Sequence, residues 1–226
     1  MFITRLLRSF ICPLCHIKHA GPFLVCATCQ SYLIPIKQGC HLCQYPLIQP
    51  VPNKCGQCIK APPAIDEAII PFILNPPLQA LIHEYKYKQG LYLTKFLVHL
   101  MLQAKPASAP TCVMPVPLHT KRLQMRGFNQ SALLAKGLSK ALNIPCLLTY
   151  SKKNKHTLPQ AQISGVDRRK NLSHAFTCKP LPFEDITLVD DIYTTGSTAQ
   201  ELAKTLKLAG AKTVRIWCVA RAIKKN

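Results

Sequence analysis

Apolar positions along this chain fall into short continuous runs and 3.6-residue stripes, and from residue 67 onward the two kinds alternate. "EAIIPFIL" (67–74) predicts a short strand, with Pro71 at an edge or bulge because it has no N–H for a ladder. "PPLQALIHEYKYKQGLYLTKFLVHLMLQA" (76–104) has helical spacing. Leu78, Leu81, Ile82 and Tyr85 share one face, Leu93, Phe96, Leu97, Leu100 and Met101 another, and Gly90 divides two helices. "TCVMPVPLH" (111–119) predicts a buried strand ending in Pro115 and Pro117. "NQSALLAKGLSKALN" (129–143) predicts a helix capped by Asn129, and "IPCLLTY" (144–150) a strand. "ITLVDDI" (186–192) predicts another strand. "STAQELAKTLKLAG" (197–210) follows as a helix with Leu202, Ala203, Leu206 and Ala209 facing inward and Gly210 closing it. "TVRIWCVAR" (213–221) is a last strand. Strands alternating with helices predict an α/β fold with a parallel sheet flanked by helices.

Residues 1–60 lack this periodicity. They carry four CxxC pairs: Cys12/Cys15, Cys26/Cys29, Cys40/Cys43 and Cys55/Cys58. Ten residues separate the first two pairs and eleven the last two. Two such knuckles complete a tetrahedral four-sulfur site, for which Zn²⁺ is the default ion, and four thiolates leave no open position for catalysis. Disulfides suit a secreted domain, which nothing at "MFITRLLRSFICPLC" marks; an iron–sulfur cluster matches the same ligand count, but the ribbon-like repeats favour zinc. Sequential pairing of the knuckles is the simple reading, and a cross-braced pairing stays open. The expectation is a double zinc-binding domain over 1–60, a linker at "IKAPPAID" (59–66), and an α/β domain over 61–226. His16, His19 and His41, near the knuckles, are expected to be exposed or capping residues. Cys112, Cys146, Cys178 and Cys218 are scattered and expected to pack as small apolar residues or free thiols.

Charge changes the picture next. The 226 residues hold 29 Lys+Arg against 9 Asp+Glu, a formal net charge of +20. No acid precedes Asp66, and between Glu84 and Asp167 there are twelve basic residues and no acidic one. Such a field favours polyanions: nucleic acid, a membrane surface or a phosphorylated small molecule. No apolar run approaches a membrane span, and the chain reads as cytoplasmic. Residues 151–173 read as a long basic loop containing Lys152, Lys153, Lys155, Arg168, Arg169 and Lys170.

In so basic a chain, two adjacent acids at the end of a strand need a reason. "DITLVDDIYTTGSTAQ" (185–200) joins a strand to Asp190 and Asp191, then to the small and hydroxylated loop Thr194, Thr195, Gly196, Ser197 and Thr198, then to a helix N-terminus. Amides, hydroxyls and the helix dipole make a phosphate cradle. The carboxylates accept hydrogen bonds from sugar hydroxyls or hold hydrated Mg²⁺. Together these spell a ribose 5-phosphate receptor. A tight strand–helix turn capped by the acids is the bland alternative, and it does not account for the hydroxyls and the glycine together.

"LVDDIYTTGST" resembles the phosphoribosyl-pyrophosphate (PRPP) signature of type I phosphoribosyltransferases. The whole chain resembles the ComF family, through its cysteine knuckles, "LIHEYKYK", "VPVPLHTKRLQMRGFNQS", "RRKNLSHAF" and the PRPP loop, in that order. The resemblance implies a type I phosphoribosyltransferase-like fold behind a double zinc ribbon. It implies that Asp190 and Asp191 bind the ribose hydroxyls, that 194–198 hold the 5-phosphate, and that the "PLHTKR" turn (117–122) aims Lys121 and Arg122 at the diphosphate and Mg²⁺. Arg126, Gly127, Phe128, Asn129 and Gln130 form the family's RGFNQ motif. The segment with Arg168, Arg169 and Asn171 would be a mobile flap, with Lys152, Lys153 and Lys155 available to nucleic acid. The implied role is PRPP binding in DNA uptake during natural transformation. Implied partners are single-stranded DNA and the uptake machinery, a helicase or an inner-membrane channel, at which the protein would be peripheral. Two other readings stand beside it: an active phosphoribosyltransferase with a nitrogen acceptor, in which an Asp takes the proton, and a zinc-ribbon adaptor with a vestigial site.

Overall fold

The computed structural model describes residues 9–48, 53–88, 90–154 and 175–223. In chain order, β1 (Ser9–Ile11) and β2 (Lys18–Ala20) pair antiparallel and are followed by the short helices α1 (Ala27–Ser31) and α2 (Gly56–Lys60). Then come β3 (Glu67–Ile69), β4 (Phe72–Ile73), α3 (Pro76–Tyr87), a 3-10 turn at Leu91–Leu93, α4 (Thr94–Met101) and β5 (Val113–Pro115). The chain continues through α5 (Thr120–Arg126), α6 (Gln130–Leu142), β6 (Ser151–Lys153), β7 (Phe176–Cys178), β8 (Asp185–Tyr193), α7 (Ser197–Leu208) and β9 (Thr213–Arg221).

The main sheet runs β3-β9-β8-β5, with β4 also on β9, and every pair is parallel. Ile186 to Val189 of β8 and Val214 to Ala220 of β9 are buried, Arg215 among them, as strands covered on both faces must be. On one face lie Leu202, Ala203 and Leu206 of α7. On the other lie Leu78, Leu81 and Ile82 of α3, Phe96, Leu97 and Leu100 of α4, and Leu134 and Leu138 of α6. The lone Trp217 belongs to this second core, its indole N–H donating to Met101 O at 3.0 Å.

The cysteine-rich segment covers the open sheet edge. Ile36 N donates to Pro71 O at 2.8 Å and Ile73 N to Ile34 O at 2.9 Å; Ala68 N donates to His41 O at 2.9 Å. An edge strand is thereby paired instead of left as a template for another chain. Pro71 sits between β3 and β4, where the expected single strand is interrupted, and the register to β9 continues across it without an extra residue.

Four expectations need correction. Residues 144–150 form no strand: one bridge, Val113 to Cys146, is all that pairs, because Pro145 has no N–H and the chain turns at Leu148. The segment from 151 does not begin as a loop; β6 pairs antiparallel with β7. The end of the expected linker is built into the fold: Ile65 is 1% exposed, and Asp66 Oδ2 accepts from Val214 N at 2.8 Å. Ala209 is the C-cap of α7 and only partly buried.

Candidate functional site

The acid pair lies near the C-terminal end of β8, with Asp190 in register with Cys218 of β9. The Ser131 hydroxyl donates to Asp190 Oδ1 at 2.8 Å, and the Asp191 amide donates to the same oxygen at 2.9 Å. Lys86 Nζ, from the last turn of α3, lies 2.9 Å from Asp191 Oδ1. Asp191 is 3% exposed, and its Oδ2 has no hydrogen-bond partner among the described residues; neither has the side-chain oxygen of buried Gln130. Buried acceptors without donors are what a polyhydroxylated or cationic ligand satisfies.

The two carboxyls differ electrostatically. Burial, with the Asp191 charge adding to it, pushes Asp190 up to about 6, against the opposing pull of Lys86, Ser131 and the Asp191 amide. Burial works against the Lys86 ammonium, yet the Asp191 carboxylate outweighs it and holds Lys86 above its ordinary value. One acid is therefore held by a cation while its neighbour titrates near neutrality.

After β8 the chain turns through Thr194 and Thr195 to Gly196, at φ +76°, where α7 begins. A Cβ on Gly196 would lie 2.1 Å from the Tyr193 hydroxyl, so both conformation and space demand glycine. Thr195 and Ser197 hydroxyls lie 2.8 Å apart, and the N-cap Gly196 offers no side chain, so only the Thr195 hydroxyl, accepting from Ser197 N at 3.4 Å, reaches the α7 N-terminus. The loop therefore presents amides and hydroxyls to an anion.

The expected basic turn at 117–122 is replaced from Thr120 onward by helix α5, with His119 bridging to Lys153 before it. His119 is the N-cap of α5, its Nδ1 accepting from Lys121 N at 3.2 Å, so Lys121 and Arg122 stand in a first helical turn. The cause is local: a capping side chain followed by a run of good helix formers. Arg126 ends α5, donates to the Tyr87 hydroxyl at 2.8 Å and stacks 4.7 Å from that ring's centroid. Gly127 (φ +76°) closes the helix. Asn129 caps α6 by accepting from Ser131 N at 3.0 Å and also donates to Val116 O at 3.2 Å. Asn129 thus orients Ser131 toward Asp190.

Lys153 of β6 is partly buried over the Phe176 ring, at 5.5 Å. Burial, then the Arg122 charge, lower it to about 8 while Asp190 pulls the other way, which places Lys153 within electrostatic reach of both. Lys152 is exposed. Lys155, Arg168, Arg169 and Asn171 lie outside the described residues.

The eight knuckle cysteines form two clusters, Cys12/Cys15/Cys26/Cys29 and Cys40/Cys43/Cys55/Cys58, with the sulfurs of each within 4.8 Å of one another. The pairing is sequential. Each cluster joins one knuckle turn, followed by a residue at positive φ (His16, +59°; Gln44, +51°), to one helix start, where Cys26 caps α1 through its sulfur and Cys55 stands at the N-cap position of α2. Burial opposes ionisation of Cys12, but amides of Cys26, Cys15 and Leu14 outweigh it and lower the thiol to about 6. Four soft donors at this spacing fit a tetrahedral divalent ion. The remaining cysteines are free thiols; burial raises Cys112 to about 11 and Cys218 further, which makes them inert packing groups.

Sequence reasoning missed Lys86, Ser131 and Arg221. Lys86 was one lysine among several in "HEYKYK", and only the fold selects it. Arg221 had a signal: a charge at the end of an otherwise buried strand. Its Nε donates to Cys43 O at 2.8 Å and its Nη1 to Tyr193 O at 3.2 Å.

A parallel sheet whose strand β8 carries an acid pair near its end and passes through a glycine turn into a helix makes this an α/β fold, here behind a cysteine-rich segment with two metal-capable tetrads. The chain is 34% identical over 218 residues to Competence protein F of Haemophilus influenzae, covering 92% of this chain and 93% of that one. It is 32% identical over 223 residues to DNA utilization protein YhgH of Escherichia coli O157:H7, covering 94% and 97%. Competence protein ComFC of Streptococcus pneumoniae is 25% identical over 207 residues, 87% of each chain. The chain belongs to the ComF family. No family model matches it. A solved glutamine PRPP amidotransferase from B. subtilis, complexed with ADP and GMP, aligns with 59% of this chain and 30% of its own at 21% identity and a TM-score of 0.40. A purine phosphoribosyltransferase from Pyrococcus horikoshii aligns with 62% of this chain and 85% of its own at 17% identity and a TM-score of 0.28.

Proposed function

We propose that this protein binds PRPP with Mg²⁺ at the β8–α7 junction and serves DNA uptake or utilization, touching single-stranded DNA through its basic surface. The observation that carries the reading is the juxtaposition of the Asp190–Asp191 pair with the glycine-initiated N-terminus of helix α7. The unpartnered Asp191 Oδ2 and Gln130 oxygen supply acceptors for the ribose diol or a hydrated Mg²⁺. Thr194 to Thr198 receive the 5-phosphate, and Lys121, Arg122 and Lys153 face the diphosphate. The names of relatives above 30% identity, Competence protein F and DNA utilization protein YhgH among them, support the biological setting. In this reading Zn²⁺ fills both tetrads as a structural ion. Among the described residues no helix is long and apolar enough to cross a membrane.

A second reading is turnover: Asp190, partly buried beside Asp191 and held by the Ser131 hydroxyl, with its pKa raised by burial and the Asp191 charge, is the group placed to accept a proton from a nitrogen nucleophile. Incubating the protein with Mg-PRPP and candidate acceptors, and measuring pyrophosphate, separates the two. Binding to single-stranded DNA that weakens steeply with salt supports the DNA-contact reading, because counterions are released when phosphates are neutralised. Binding insensitive to salt, or absent, contradicts it.

A further inference from the structure

Arg221 is 7% exposed at the last position of β9, and among the described residues no carboxylate pairs with it. A buried guanidinium persists only where its donors are satisfied. Its Nε donates to Cys43 O at 2.8 Å, inside the second cysteine tetrad. Its Nη1 donates to Tyr193 O at 3.2 Å and also to Thr194 O, the first carbonyl of the phosphate loop. Its guanidinium centre lies 5.0 Å from the Tyr193 ring centroid. Tyr193 packs in one core with Cys40, Cys43, Cys55 and Cys58, and its hydroxyl occupies the space beside Gly196 that a side chain would need. The linker adds a parallel tie, Ala64 N donating to the Gln200 side chain on α7 at 3.4 Å.

We propose that Arg221 is a positioning residue that fixes the 194–198 loop by joining it to the second cysteine tetrad, so that this tetrad is part of the ligand site. The proposal rests on the reading of that loop as a phosphate receptor. Four thiolates around a divalent cation carry net negative charge, which supplies the counter-charge that Arg221 lacks from any carboxylate. Side-chain donors then hold the Tyr193 and Thr194 carbonyls back, leaving the loop's own N–H groups for the anion. The first tetrad packs elsewhere: Cys12 is in the α3/α4 core, and Phe23 lies 4.3 Å from His99 and 5.7 Å from Phe96. The two tetrads therefore differ in duty although their ligand sets match.

The test compares Arg221→Met, Arg221→Lys, Arg215→Met, Cys58→Ser and Cys26→Ser in the full chain. Metal content, amide hydrogen exchange at 194–198 and calorimetric affinity for Mg-PRPP are read on each. Arg215 is a control, since it is a buried arginine at the opposite end of the sheet, paired with Glu67 and Asp185. Losing charged hydrogen bonds predicts at least about a tenfold loss of affinity and faster loop exchange in both Arg221 variants, with metal retained. Arg215→Met lowers stability without either effect, and Cys58→Ser loosens the loop more than Cys26→Ser. Arg221→Lys keeps a buried charge, so it carries the test if Arg221→Met does not fold. Unchanged loop exchange in the Arg221 variants, or equal loosening by Cys26→Ser and Cys58→Ser, overturns the proposal. If the wild type binds no PRPP, the ligand reading fails and the exchange pattern alone decides the coupling.

Discussion

Asp190 and Asp191 are adjacent in sequence but meet different surroundings: a serine hydroxyl and an amide on one, a lysine ammonium on the other. Because Asp190 is raised above its unfolded value, the folded state binds the proton first as pH falls. The cost of its charge is therefore absent below about pH 4 and fully present above about pH 6, and its contribution to stability falls across that window. Asp190→Asn should unfold at a higher temperature than the wild type at pH 7.5, with the gain disappearing near pH 4, as differential scanning calorimetry can follow. A difference equal at both pH values would contradict the burial and repulsion assigned here. The pair itself was legible in the sequence, since acids are scarce and these two close an apolar run. Their partners were not: Lys86 and Ser131 lie 104 and 59 residues away along the chain from Asp190, and only the sheet brings them in.

At the scale of elements, β8, the loop and α7 form one unit, the receptor of the proposed function, whose backbone depends on glycine. Gly127 and Gly196 share φ +76°, but nothing lies within 4 Å of a Cβ on Gly127, whereas Gly196 presses on Tyr193. Gly127→Ala should cost only the left-handed backbone penalty, about 1–2 kcal/mol. Gly196→Ala should cost more in urea denaturation and should also weaken Mg-PRPP, because Tyr193 must shift beneath the loop. Equal costs for the two would show that the contact with Tyr193 is slack. Periodicity predicted the long elements well: α3, α4, α6, α7 and β9 fall where apolar spacing put them. It failed on short ones. Residues 144–150 look like a strand by composition, but Pro145 limits them to a single bridge; 117–122 looked like a turn, but His119 caps a helix there.

Across the whole molecule, the cysteine-rich segment is not an appendage. One tetrad enters the α7-side core and the other the α3/α4-side core, and residues 34–36 pair with the open edge. Knuckle spacing revealed the two metal-capable tetrads, yet no local pattern could reveal that the segment helps build both faces of the sheet. Stripping metal with a chelator should therefore disturb the sheet itself: the single Trp217, 1% exposed in β9, should shift its emission to the red in step with thiol release. Emission unchanged after complete metal loss would mean that the α/β core stands alone. In the proposed function the basic field has a matching whole-molecule role: it draws polyanions to a surface on which Asp190 and Asp191 would serve the neutral diol and the metal. Calorimetric titration of Mg-PRPP into the wild type and an Asp190→Asn/Asp191→Asn variant, repeated with single-stranded DNA present, tests this most directly. The account predicts saturable binding by the wild type and its loss in a folded variant that still holds its metal; equal binding by both proteins, or none by the wild type, would contradict it.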